Sequence, residues 1–191
     1  MANLSFIKQY VTKPRTTGAI LPSSKYLATK MVSGVNFDAA KCIVEYGPGT
    51  GVFTEKILEK RKADTLIILL EFNEEFCNML RKKYKEHKNE QNLHIINDSA
   101  ENIGKHLQAY GVAQADYIIS GLPFASLPPE ISANILTATQ KYLAPGGQFI
   151  TFQYTLFKKK LFQKYFGKIE SKREWRNVPP AHALFMSNRQ D

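Results

Sequence analysis

Apolar positions along this 191-residue chain follow two rhythms that take turns. Short apolar runs sit at Cys42-Ile43-Val44, Leu66 to Leu70, His94-Ile95-Ile96, Asp116 to Ile119 and Gln148 to Thr155, and each predicts a buried strand. Between the runs, apolar residues return every three to four positions, as they do on one side of a helix. Phe53, Ile57 and Leu58 share such a side, with Glu55, Lys56, Glu59 and Lys60 outside. Phe76, Met79, Leu80 and Tyr84 predict a second helix, and Ile103, Leu107 and Tyr110 a third. Ser126, Pro128 and Pro129 open a fourth, with Ile131, Ile135, Ala138 and Tyr142 inward. Pro145-Gly146-Gly147 turns the chain into the fifth strand. A basic helix follows, then a strand near Lys168 to Glu174, a loop Trp175 to Pro180 and a last strand Ala183 to Met186. Upstream, Leu4, Ile7 and Val11 share a helical face. Residues 16–22 read as a loop, and Ser23 or Ser24 caps a helix through Tyr26, Leu27, Met31 and Val32. Strand–helix alternation predicts one α/β domain over residues 1–191 with a doubly wound sheet, residues 1–34 forming an N-terminal helical lid or substrate-access segment.

One strand-to-helix junction stands out. Glu45-Tyr46-Gly47-Pro48-Gly49-Thr50-Gly51 places three alternate glycines after a carboxylate. Glycine takes positive φ without strain and lets a ligand lie against the backbone. The spacing differs from the G-x-G-x-x-G of dinucleotide-binding turns. The next two runs also end in acids. Glu71 closes the second, where a carboxylate accepts hydrogen bonds from ribose hydroxyls. Asp98-Ser99-Ala100-Glu101 follows the third and also fits a capping box, so Asp98 has a helix-capping role open to it.

The formal charge of +9 and the pI near 9.5 argue for an anionic partner, either RNA or an acidic membrane surface. Cys42 and Cys77 lack metal-ligand spacing and read as small core residues of a reduced, cytoplasmic protein. No signal peptide and no apolar run long enough to span a bilayer is visible. The N-terminal helix, amphipathic and basic, suits either a lipid interface or docking on the domain's own core. Phe157, Leu161, Phe162, Tyr165 and Phe166 interleave with Lys158, Lys159, Lys160, Lys164 and Lys168. That segment reads as a lipid-facing rim, a phosphate-binding surface, or a surface helix burying Phe157, Leu161 and Tyr165.

The acid-then-glycines turn resembles the first motif of class I S-adenosylmethionine-dependent methyltransferases. That resemblance implies a Rossmann-like, doubly wound, seven-stranded sheet with the last strand antiparallel. It also implies S-adenosylmethionine as cofactor and S-adenosylhomocysteine as product. Gly47, Gly49 and Gly51 would lie against the methionine part and Glu45 near its ammonium. Glu71 would hold the ribose and Asp98 the adenine amino group, with the backbone of Ser99 and Ala100 facing the ring.

At the end of the fourth strand, Gly121-Leu122-Pro123-Phe124 resembles the N-L-P-Y motif of ribosomal RNA adenine dimethylases. Their Asn holds the exocyclic amine and their aromatic ring stacks on the base. Here the Asn position is Gly121, or Ser120 on a one-residue slip, and glycine has no side-chain acceptor. The accessory helical domain of those enzymes is also not expected. Residues 18–23, the glycine turn, Ser120 to Pro123 and Trp175 to Ala181 together resemble bacterial soluble-type phospholipid N-methyltransferases. The acceptor implied is the amine of phosphatidylethanolamine at an anionic membrane surface, on the inner face. An RNA adenine N6-methyltransferase and a non-catalytic cofactor-binding protein are the alternatives. Ser120, Tyr154 and His182 are the candidate groups for taking the amine's proton. Tyr26 joins Gly121, Leu122, Pro123 and Phe124 as candidate acceptor-binding residues, and rings such as Phe124 and Tyr154 suit a methylated ammonium.

Overall fold

The structure, a computed structural model, describes residues 24–85, 92–156 and 159–189. The expected N-terminal helix, the 16–22 loop, Ser23, Phe157 and Lys158 lie outside the described residues. In chain order the elements are α1 (Lys25–Val32), β1 (Cys42–Tyr46), α2 (Val52–Leu58), β2 (Leu66–Glu71), α3 (Glu74–Lys83) and β3 (Leu93–Asn97). A 3-10 turn (Ala100–Asn102) leads into α4 (Ile103–Ala109), followed by β4 (Ala115–Ser120), α5 (Pro129–Tyr142) and β5 (Leu143–Gln153). The chain closes with α6 (Lys159–Phe162), β6 (Lys168–Glu174) and β7 (Ala181–Ser187).

The strands form one seven-stranded sheet in the order β3-β2-β1-β4-β5-β7-β6. β1 to β5 pair in parallel, and β7 runs antiparallel to both β5 and β6. The doubly wound sheet with an antiparallel last strand is therefore present. All five residues of β1 are buried, because helices cover both faces of the sheet. On one face Val44, Tyr46, Ile68 and Ile118 meet Leu107 and Ile135. On the other, Ile43, Ile67, Ile119 and Ile150 meet Leu27, Met31 and Ile57. Burying each such side chain contributes about 1.5–3 kcal/mol. Ser24 caps α1, its Oγ accepting from the Leu27 amide at 3.1 Å.

Local boundaries differ from the sequence pattern in four places. β5 begins at Leu143, ahead of Pro145-Gly146-Gly147, and a register irregularity against β4 absorbs that turn. Met79 is exposed rather than inward, since Cys77 and Leu80 alone bury the α3 stripe. Tyr110 lies past the end of α4 and stacks on His94 at the sheet edge, ring centroids 3.9 Å apart. Among the described residues of the basic segment, Phe162 and Phe166 enter the core and pack on Phe149, while Leu161 and Tyr165 are only half-buried.

Candidate active site

Parallel strands aim their carboxyl ends at one rim, and loops there collect the polar groups. β1 delivers the glycine turn to this rim. Gly47, Gly49 and Gly51 all take positive φ. Gly49 shows why: at φ 55° an added Cβ would have none of the described residues within 4 Å, leaving bare backbone for a ligand. Beneath the turn, Glu45 is completely buried one residue before the end of β1. Its Oε2 accepts from the Thr54 hydroxyl at 2.7 Å, and its buried Oε1 has no partner among the described residues. Burial raises its pKa to about 8, partly offset by Thr54 and reinforced by Glu71.

Glu71 ends β2 and reaches back across the turn. Its Oε2 accepts from the Gly49 amide at 3.0 Å and its Oε1 from the Asn73 amide at 2.9 Å. Burial pushes its pKa up against those backbone bonds. Each carboxylate oxygen keeps a further lone pair for a hydroxyl. Asp98, one residue past β3, is more heavily engaged. Oδ1 accepts from the Ser99 amide at 2.7 Å and the Asn102 amide group at 2.8 Å, and Oδ2 lies 2.8 Å from His106 Nε2. Burial works to raise its pKa, but the bonds from Asn102, His106 and Ser99 hold it below the ordinary carboxylate value. The N-cap of the 3-10 turn is Ser99, whose Oγ accepts from Glu101, so the capping pattern begins one residue later than the sequence suggested. Ala100 is buried beneath it.

The turn after β4 is tightly built. The Gly121 amide donates to Tyr46 O at 2.8 Å, and an added Cβ there would meet Gly47 O at 2.6 Å. The two turns therefore touch, and no side chain fits at position 121 without moving one of them. Ser120 is wholly buried. Its Oγ accepts from the Leu122 amide at 3.2 Å, within the turn itself. Leu122 lies over Gly47, and Pro123 is half-buried beside it. Phe124 is buried against Phe149 and Phe162 rather than open at the rim.

β5, β6 and β7 supply the remaining groups. Because β6 runs parallel to β5, the loop from Trp175 to Pro180 emerges at the same rim. Tyr154 follows β5 with its ring edge-on to Phe152, on the α1 and α2 side. Burial raises its pKa, opposed by a hydrogen bond with Asn177. His182 pairs with Gln153 and Arg173 in register, and its ring alternates onto the side of Leu184, the opposite face. Burial and then the Arg173 charge lower its pKa, so its ring is neutral at pH 7, and Nδ1 lies 3.3 Å from Ser171 Oγ. Tyr154 and His182 thus do not converge on one proton.

Three residues at this rim had no role in the sequence reading: Glu174 only ended a strand, and Arg176 and Asn177 only formed part of a loop. Asn177 is buried, its Oδ1 accepting from the Ser24 amide at 3.1 Å and its Nδ2 donating to Pro179 O at 2.7 Å. Glu174, also buried, accepts from Arg176 Nε at 3.0 Å and lies 3.7 Å from Lys30 Nζ. The Arg176 guanidinium and amide, the former first, hold Glu174 at about 2. Arg176 in turn covers the Tyr26 ring at 4.3 Å. No local spacing marks them, because their burial depends on α1 packing against this rim.

An open glycine backbone, an orphaned buried carboxylate oxygen beneath it and two further carboxylates at successive strand ends fit a nucleoside with an amino-acid tail. Comparison with known proteins agrees. Residues 11–175 match the ribosomal RNA adenine dimethylase family. Over 182 residues the chain is 29% identical to an ornithine lipid N-methyltransferase of Singulisphaera acidiphila, covering 94% of this chain and 93% of that one. Among solved structures, TrmN from Thermus thermophilus superposes with a TM-score of 0.66 at 12% identity, over 94% of this chain and 52% of that one, about half its length. NodS, an N-methyltransferase of Bradyrhizobium japonicum solved with S-adenosyl-l-homocysteine, gives 0.65 at 13% identity, over 86% and 84%. These two likenesses concern the fold; the family match goes further. The chain belongs to the ribosomal RNA adenine dimethylase family and is an S-adenosylmethionine-dependent methyltransferase.

Proposed function

We propose that this enzyme methylates the primary amine of a membrane-lipid head group, with phosphatidylethanolamine as the acceptor. Position 121 carries the proposal. The adenine-methylating relatives need a side-chain acceptor there, and here a glycine is locked against Gly47 O. Without that acceptor, adenine's exocyclic amine loses its hydrogen-bond partner, whereas an aliphatic amine needs none in that place. The near full-length likeness to an ornithine lipid N-methyltransferase supports a lipid amine and makes an ornithine head group the second acceptor to test.

S-adenosylmethionine, when bound, supplies an electrophilic methyl group on a sulfonium. The chain's own residues do the rest. Glu45 Oε1 would meet the cofactor's ammonium, Glu71 the ribose hydroxyls and Asp98 the adenine amino group, and the bare Gly49 backbone would leave room for the methionine part. The Ser99 and Ala100 backbone closes the adenine side. An acceptor ammonium has no lone pair, so it must first give up its proton. Tyr154 and His182 face opposite sides of the sheet and are therefore alternative partners for the amine: His182 offers a neutral imidazole that can take its proton, and Tyr154 a phenol that can hold it through its oxygen and its ring. Ser120 serves the turn through Leu122 and shapes the site.

The test offers methyl-labelled S-adenosylmethionine with phosphatidylethanolamine or ornithine lipid in detergent micelles, or with ribosomal RNA. Label in the phosphatidylethanolamine fraction is expected. Label in RNA alone would overturn the reading.

A further inference from the structure

We propose that the β6–β7 loop is the edge by which this enzyme docks on an anionic lipid surface, with Trp175 and Val178 entering the interface. The proposal deepens the lipid-amine reading above and rests on it for its biological meaning, though its test does not depend on any methyl transfer.

Among the described residues, seven large hydrophobic side chains are exposed, and five of them collect at the carboxyl rim: Tyr26, Tyr154, Leu156, Trp175 and Val178. The other two, Met79 and Tyr110, lie on α3 and after α4, toward the β3 edge of the sheet. Trp175 is 66% and Val178 78% exposed. Such apolar exposure at one place marks an interaction surface.

The loop is not loosely exposed. Its inner residues, Glu174 and Asn177, are buried and bonded to Arg176, Ser24 and Pro179. The outer residues are therefore held outward by a fixed frame, and docking has little ordering to do. Two arginines flank them. Arg173 lies over the Trp175 ring at 3.6 Å and Arg176 over Tyr26 at 4.3 Å. Stacked on an aromatic face, the Arg173 guanidinium keeps its in-plane N–H groups for phosphate oxygens, whereas Arg176 gives its Nε and Nη2 to Glu174. The acid nearest to them, Glu174, is buried and already neutralised by Arg176 and Lys30. The outward charge of this rim is positive, complementary to anionic head groups.

Nucleic acid is the competing occupant, since arginine and tryptophan also stack on bases. Val178 and Leu156 argue against it. Aliphatic side chains offer bases no stacking face, but they do partition into the acyl boundary. Phe162 and Phe166 of the basic segment do not compete for this role, because they face the core.

Vesicles of phosphatidylcholine and phosphatidylglycerol test the docking alone, as neither lipid has a primary amine. In sedimentation, the W175S/V178S protein should need at least tenfold more lipid for half-binding than wild type. W175S alone should lie between the two. R173Q should bind with a shallower salt dependence, while M79S at the far edge should bind as wild type. S-adenosylhomocysteine affinity and Tm should be unchanged in W175S/V178S, confirming an intact fold. The proposal is overturned if wild type ignores these vesicles, if W175S/V178S binds them as wild type does, or if M79S loses as much. Loss of ribosomal RNA binding in W175S/V178S with vesicle binding intact also overturns it in favour of RNA. Methylation of phosphatidylethanolamine in micelles judges the acceptor separately, so either idea can fail without the other.

Discussion

Removing the charge from Glu45 tests how the cofactor is gripped. The carboxyl is buried, carries one unpartnered oxygen and keeps its proton up to about pH 8. An ammonium placed against Oε1 must meet a carboxylate, so binding below that pH has to release a proton. At pH 6 about one molecule in a hundred is ionised and at pH 8 about half, so cofactor affinity should rise roughly fiftyfold across that interval. At pH 7 the ionisation costs about 1.4 kcal/mol. Glu45→Gln keeps the shape and the Thr54 contact but cannot ionise. Its affinity for S-adenosylhomocysteine should be lower at pH 8 and lose this slope, with any titration of the ligand itself common to both proteins. Calorimetry in buffers of different ionisation enthalpy counts the proton directly. The unliganded protein should show the opposite trend. A folded-state pKa raised above the ordinary 4.5 means that the native chain holds more protons than the unfolded one between about 4.5 and 8. Stability from this residue is therefore present below 4.5 and declines as pH climbs to 8, a decline that Glu45→Gln removes. Equal pH dependence of binding in wild type and Glu45→Gln would refute the reasoning.

Gly49→Ala adds a methyl group where the backbone lies bare and at a φ that L residues avoid, so affinity for S-adenosylhomocysteine should fall at least tenfold while urea denaturation shows a loss of about 1–2 kcal/mol. Gly121→Asn should not create an RNA methylase: its Cβ meets Gly47 O, and denaturation should register a loss of about 1–3 kcal/mol with no label in RNA. Asn177→Ala strands the Ser24 amide and Pro179 O, costing about 1–3 kcal/mol in the same assay. Glu174 has a folded pKa depressed from 4.5 to about 2, so its stabilisation is whole above 4.5 and lost as pH falls toward 2; Glu174→Gln should flatten that acid limb of a Tm profile.

The strand–helix alternation and the three acids were legible because they rest on local signals: apolar runs, a fixed glycine spacing and carboxylates at run ends; the antiparallel last strand came with the family resemblance. The partners of those acids were not legible. The Gly49 amide on Glu71 and His106 on Asp98 depend on how a turn or a helix folds back, which no spacing reports. Phe124 illustrates the same limit. Its motif suggests an open ring, yet α6 brings Phe162 over it and the ring becomes core. Met79 and Tyr110 fit a helical stripe by spacing alone, but the helices are narrower on their buried sides than the stripe implies. The roles of Asn177 and Glu174 were hidden for a different reason, since Ser24 and Lys30, which they hold, lie at the cap and in the body of α1 at the other end of the chain.

That separation has a kinetic side. The Ser24–Asn177 bond joins residues 153 positions apart, whereas Glu71 meets Gly49 across only 22. Contacts of long sequence separation carry the larger closure entropy and assemble late. The nucleoside cradle can thus take shape from the first three strands, while the acceptor rim waits for β7 to slot between β5 and β6. On that ordering, a newly made chain would grip the methyl donor before it could offer that methyl group to anything.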